Sequence, residues 1–185
     1  MSLVELIAQA DERGLAASGL ACLDRCVPLL GGDDEVLRPL WASLADDSAW
    51  AGSLEKARGA LGMARSGEDE AALLARRMLD AVPAERTPNG IRAWADACSV
   101  ASLRIHRLLD PAADGTSSAD GLETGRAGGA DDASPLVAAE LRRQVVVLEL
   151  LAEHGTNGLR RALDVSVEGR RVLRAVVSRR ARGRG

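Results

Sequence analysis

The residues with the most obvious chemical potential are three cysteines, Cys22, Cys26 and Cys98. Cys22 and Cys26 are four positions apart, so on a helix both thiols could bind one metal ion together with Cys98 and a histidine. The spacing is not that of a zinc knuckle, however, and each cysteine falls within an apolar stripe. Free cysteine in such a stripe packs as a small hydrophobic side chain. The pattern therefore favours three core thiols and predicts no metal site.

Histidines and acidic residues give no catalytic pattern either. His106 is predicted on the polar flank of its helix, and His154 at a helix C-terminus, where a positive charge is favourable. Neither is next to a cysteine, serine or aspartate that would form a nucleophile and base. Glu149 and Glu153 are one helical turn apart, as paired carboxylates that bind a metal ion could be. Metal sites in helical bundles use Glu-x-x-His motifs from two helices, however, and only Glu140 and Glu149 could serve as incomplete substitutes for such a motif. The glycine clusters match no phosphate-binding fingerprint. We therefore expect no catalytic residue and no cofactor.

The distribution of charge is the strongest functional signal. Residues 135–185 hold 11 of the 24 basic side chains and 5 of the 27 acidic ones, so an acidic body carries a basic end. The basic side chains that could contact nucleic acid or an acidic partner are Arg170, Arg171, Arg174, Arg179 and Arg180. This end could bind DNA phosphates, lie on an anionic membrane surface, or pack against the protein's own acidic body. No aromatic residue follows Trp94, so base stacking is excluded.

An arginine bias in the whole chain weakens that signal. Lys56 is the one lysine among 24 basic residues, and Phe and Tyr are absent. Such a composition is typical of GC-rich coding sequence, so a solvated arginine face remains an alternative to all three functional interpretations.

The elements that must position these residues are helices. Between Ser134, a suitable N-cap, and Gly155, apolar residues recur at helical spacing, with Pro135 at the first helical position. Because its second half is apolar on most sides, the segment 135–154 is predicted to be the central helix of a bundle. The seam from Ile91 to Leu108 is expected to pack on it.

The segments before and after residues 135–154 are predicted to differ in how much regular secondary structure they form. Residues 110–134 are rich in Gly, Ala, Asp and Ser and poor in large apolar residues, which predicts a disordered internal loop. A short helix is expected over 159–163 and a last helix over 165–179, followed by a frayed basic tail over 180–185.

These patterns together predict an all-α, single-domain helical bundle of about seven to eight helices with one long flexible loop. The chain has 185 residues, 46% of them hydrophobic, which is enough for one core. No apolar run approaches the roughly 20 residues of a transmembrane helix, and the N-terminus lacks the features of a secretory signal. We therefore expect a cytoplasmic protein with free thiols.

Three functions are compatible with this sequence. The first is a non-enzymatic interaction or regulatory protein that forms homo-oligomers, since no catalytic pattern is present and the helix faces are apolar. The second is a DNA-associated regulator that uses the C-terminal arginine-rich helix. The third is a small-molecule-binding protein or enzyme with an apolar pocket between helices, bounded by a tryptophan.

Overall fold

The computed structural model describes residues 1–62, 69–113, 119–129 and 133–184. These residues form α-helices and short 3-10 turns without a β-strand, which confirms the predicted all-α bundle. The α-helices are α1 (Leu3–Gln9), α2 (Glu12–Arg25), α3 (Arg38–Asp46), α4 (Trp50–Gly62), α5 (Glu70–Asp80), α6 (Pro88–Leu109), α7 (Ala119–Arg126), α8 (Pro135–His154) and α9 (Leu159–Arg182). Across the described ranges, no helix is long and apolar enough to cross a bilayer.

Helix α2 lies at the centre of the bundle, in the position that the sequence predicts for residues 135–154. Twelve of its 14 residues are buried, and it packs against α3, α5, α6, α8 and α9. Small side chains make this close packing possible. A Cβ atom at Gly19 would lie 2.5 Å from the ring of Trp94 on α6, so only glycine permits this helix crossing. Hydrophobicity alone does not reveal such a helix, because alanine and glycine contribute little to an apolar stripe.

Helix α8 has the predicted ends but a different buried face. Ser134 is the N-cap residue, and Gly155 ends the helix with a positive φ of 54°. Leu141 and Val145, predicted to be in the core, are only half-buried, and Ala152 is exposed. The buried face includes two polar side chains, and its members are Val137, Glu140, Gln144, Val147, Leu148 and Leu151. The core side of α8 is therefore organised around a carboxylate.

Helix α7 lies within the segment predicted to be disordered. Residues 119–126 are helical, so the prediction for 110–134 is wrong over this range, and residues 114–118 and 130–132 lie outside the described part. The side chain of Arg126 is buried, and its polar contacts hold the helix against α6. A composition rule that counts large apolar residues does not detect an anchor of this kind.

Helix α9 is continuous where two helices were expected. It runs from Leu159 to Arg182 and joins the predicted segments 159–163 and 165–179. The first three residues of the tail predicted to fray, 180–182, are therefore helical, and Gly185 lies outside the described residues. Arg180 contributes to this order, because its guanidinium donates a 2.8 Å hydrogen bond to the carbonyl of Leu108 at the end of α6.

Arginine side chains donate hydrogen bonds to the C-terminal carbonyl groups of neighbouring helices. The last carbonyl groups of a helix have no partner within that helix, and they also carry its negative partial charge. Five arginines donate to such carbonyls on another helix: Arg13 to α3, Arg58 to α5, Arg76 to α4, Arg92 to α1 and Arg180 to α6. Part of the arginine excess therefore has a structural use.

Candidate functional site

A fully buried ion pair joins α2 to α8. Arg25, the last residue of α2, donates from Nε to Oε2 of Glu140 over 2.8 Å and from Nη2 to Oε1 over 2.6 Å. Neither side chain has any exposed surface. Burial alone would raise the pKa of Glu140, but the guanidinium of Arg25 and the other groups around the carboxylate lower it to about 2. Glu140 is therefore ionised at neutral pH, in the middle of the bundle.

The remaining acceptor sites of Glu140 face α6 and its own helix. Ser102 donates to Oε1 over 2.8 Å, and Gln144 donates to the same atom over 3.0 Å. His106 is buried beside them, with Nδ1 2.7 Å from the carbonyl oxygen of Ser102 and Nε2 3.5 Å from Oε2 of Glu140. Burial lowers the pKa of His106, so at neutral pH its Nδ1–H donates to that carbonyl. The prediction that His106 lies on a polar flank is wrong.

The hydrogen bonds continue from this carboxylate to the surface at α7. Gln144 Oε1 accepts from Ser99 Oγ over 2.6 Å, and Ser99 Oγ accepts from Arg126 Nε over 3.2 Å. The buried Arg126 guanidinium also contacts Asp96 and Glu123, whose side chains are more than half exposed. An unbroken chain of polar contacts therefore links the buried ion pair to the edge of the bundle.

A second buried ion pair joins α2 to α9. Asp24 binds Arg170 and accepts a 3.1 Å hydrogen bond from the indole nitrogen of Trp41. One turn further along α9, Arg174 binds the half-exposed Asp34. Burial raises the pKa of Asp24, although the positive charge of Arg170 opposes this effect. Arg170 and Arg174 thus contact the protein's own acidic body, which is one of the three alternatives left open by the sequence.

The other three arginines that the sequence selects, Arg171, Arg179 and Arg180, are exposed. Arg171 and Arg179 have no ion pair within the described residues, whereas Arg180 caps α6 as described above. Of the five arginines that the sequence selects, one is therefore buried, one pairs at the surface, one caps a helix and two face solvent.

The cysteines occupy the core, as the apolar stripes predict. All three thiols are free and buried. Burial raises the pKa of Cys22 to about 12, and it also raises the pKa values of Cys26 and Cys98. In the part of the chain that is described, no three His, Cys, Asp or Glu side chains are grouped as a metal site.

The buried network is suited to fixing helix register. Glu140 is held by a bidentate arginine and by two further donors to Oε1, and its carboxylate has no exposed surface. Sequence reasoning assigned Glu140 to a partial metal set and did not detect Arg25. The sequence does contain one signal for a buried Glu140. Glu140 and Gln144 follow the same helical spacing as Val137, Val147 and Leu151, which places two polar side chains on the apolar face of α8.

An apolar groove lies at the surface between α1 and α8. Its volume is about 310 Å³, and its walls include Met1, Leu3, Leu141, Val145 and Val146, with Gly125 and Gly128 on the α7 side. Met1 is 71% exposed, Val4 on α1 is 42% exposed and Val146 is 38% exposed. We call the surface formed by Met1, Arg142, Val145, Val146 and Glu149 the α1–α8 face.

The fold and the site together define an all-α helical bundle with a hydrophobic core, a buried polar network and an apolar surface groove. No protein family, curated protein or solved structure matches this chain.

Proposed function

We propose that the protein is a non-enzymatic helical interaction protein that self-associates through the α1–α8 face. The observation that carries this proposal is the clustering of exposed apolar side chains. Four large hydrophobic residues are exposed in the described chain: Met1 and Val146 line this groove, Val4 lies on α1 and Leu73 lies on α5. Apolar side chains that gather around a groove are typical of a protein interaction site.

The charge pattern on α8 favours a second copy of this chain as the partner. Arg142, Val146 and Glu149 form an exposed stripe with spacings of four and three residues. A two-fold axis at Val146 would cross two α8 helices antiparallel, so that Arg142 of each copy lies near Glu149 of the other. Such an interface has an apolar centre and opposite charges at both ends, and the same surface serves on both subunits.

The oligomeric state in solution tests this proposal. We expect light scattering after size exclusion to give a dimer whose population rises with protein concentration. Val146→Glu should yield a monomer, because it places a charge at the centre of the interface. Leu73→Glu is the matched control, since it makes the same chemical change at an exposed residue away from the groove, and it should leave the dimer unchanged.

Charge reversal tests the antiparallel arrangement separately. Arg142→Glu should weaken the dimer, and adding Glu149→Arg should restore it, because the opposite charges then face each other again. A wild-type protein that stays monomeric at high concentration would contradict the proposal, and an unaffected Val146→Glu dimer would contradict the assigned face.

A DNA-associated role remains the second candidate, supported by the exposed Arg171 and Arg179. Deletion of residues 169–185 is unsuitable as a test, because Arg170 and Leu173 belong to the core. The double variant Arg171→Glu/Arg179→Glu changes the exposed charge instead. This candidate predicts salt-dependent retardation of DNA by the wild type that the double variant loses. The lining of the α1–α8 groove contains no tryptophan, so this groove is not the tryptophan-bounded pocket of the third hypothesis, which stays a prediction.

A further inference from the structure

We infer that α7 is a detachable flap on the α1–α8 groove, held closed by Arg126, and that its release strengthens self-association. The effect on association rests on the function proposed above, whereas the attachment of α7 follows from its own contacts. The inference is drawn from three features: what α7 buries, what Arg126 binds, and what α7 covers.

Helix α7 has almost no apolar attachment to the bundle. Arg126 is its one buried side chain among those described, and Leu122 and Gly125 are half-buried. The shorter helix α1 buries three large apolar side chains by comparison. Since apolar burial is the main source of packing free energy, the docking of α7 depends mostly on one guanidinium.

The partners of that guanidinium are suited to reversible attachment. On α6, Arg126 binds Ser99 and Asp96, and within α7 it binds Glu123. The carboxylates of Asp96 and Glu123 are 54% and 60% exposed. When α7 leaves, both carboxylates can be hydrated fully and the arginine returns to water, so no unpaired charge remains buried.

Docked α7 covers part of the apolar groove. A Cβ atom at Gly125 would lie 3.2 Å from Cδ1 of Leu141, so the α7 backbone lies directly on that leucine. Gly128, with a positive φ of 86°, brings the chain to Ser2 on the opposite wall. Removing α7 would therefore expose Leu141 next to Val145 and enlarge the apolar surface available to a second copy.

Hydrogen exchange tests the attachment without relying on association. We would measure it in Val146→Glu, so that a second copy does not protect the groove. In this background we expect α7 amides to exchange roughly 100-fold faster than those in the middle of α6, because α7 opens on its own. Adding Arg126→Gln should accelerate α7 by a further factor of about 10, through loss of charge-assisted hydrogen bonds, and leave α6 and α8 unchanged.

Two further variants control for the specific contact. Glu123→Gln keeps the contacts of Arg126 with α6 and should change α7 exchange much less, and Arg126→Lys should restore part of the protection. Protection of α7 equal to that of α6 would overturn the inference. Acceleration across the whole bundle in Arg126→Gln would also overturn it, because Arg126 would then be a general structural residue.

Association tests the regulatory half of the inference. In the otherwise wild-type chain, Arg126→Gln should tighten the dimer by about 10-fold, which corresponds to the burial of one additional leucine. An unchanged or weaker dimer would overturn the role of the flap and leave the interface itself intact. A monomeric wild type would instead overturn the proposed function, and the exchange experiment would still decide whether α7 detaches.

Discussion

Replacing Glu140 with methionine removes one half of the buried ion pair and leaves Arg25 in the core. The guanidinium of Arg25 has no exposed surface, and its nearest carboxylate is lost. Breaking a buried pair in this way costs about 3–5 kcal/mol of unfolding free energy, because the remaining charge has no partner. Arg25→Met should cost a similar amount, since it leaves the buried carboxyl group of Glu140 without its guanidinium partner.

The double variant Arg25→Met/Glu140→Met should be much more stable than the two single losses imply. Both charges are then absent, and the main remaining cost is the lost acceptor for Ser102 and Gln144, about 1 kcal/mol for each donor. The coupling free energy between the two positions is therefore expected to be at least about 3 kcal/mol.

Urea denaturation of the wild type and the three variants measures this coupling. For a chain of this length, a loss of 3–5 kcal/mol lowers the melting temperature by roughly 6–20 °C, so calorimetry gives an independent value. A loss below about 1 kcal/mol in Glu140→Met would refute the reasoning, because it would mean that Arg25 reaches water or another partner. Additive losses in the double variant would show that the two charges do not stabilise each other.

Four other outcomes follow from the structure. Burial lowers the pKa of His106, so below about pH 6.5 the unfolded chain binds a proton more readily than the folded chain does. The urea concentration at the midpoint of unfolding should therefore decrease as the pH is lowered from 7 to 5. His106→Gln should remove this decrease. A further loss is expected as pH drops from 4.5 towards 2, the interval between the ordinary and the lowered pKa of Glu140, and it should disappear in Glu140→Met. The three thiols should react with a thiol reagent only when the protein unfolds, since their pKa values are raised, and fast labelling of the native protein would contradict this. Gly19→Ala should destabilise by about 1–3 kcal/mol through its clash with Trp94, whereas Gly59→Ala, at an open position of α4, should stabilise by about 0.5–1 kcal/mol. Equal effects at the two glycines would refute the close packing of α2.

Local signals in the sequence predicted the helices well. Ser134, Pro135 and Gly155 placed both ends of α8, because caps depend on backbone groups close in the chain. Within α6, Ile91, Trp94 and other members of the predicted seam are buried. Helix caps and the spacing of apolar residues both depend on residues that are close in the chain, so they can be recognised without knowledge of the fold.

Long-range pairing could not be predicted in the same way. Arg25 and Glu140 are 115 positions apart, and the periodicity of one helix gives no information about its partner residue on another helix. Periodicity assigns charges to the surface unless their partner is known, which also explains why Arg126 and His106 were placed outside the core. The central position of α2 was missed for a related reason, because close approach depends on the absence of a side chain at Gly19 and not on hydrophobicity.

Because of the arginine caps, the stability of each capped helix end depends on packing against a neighbouring helix. The last carbonyls of α1, α3, α4, α5 and α6 all receive a guanidinium from a different helix. Unwinding of such a terminus breaks hydrogen bonds to a neighbouring helix in addition to those within its own helix. Melting of the secondary structure and loss of the interhelical contacts are thereby made a single cooperative event, in a chain that has only three aromatic side chains to stabilise its core.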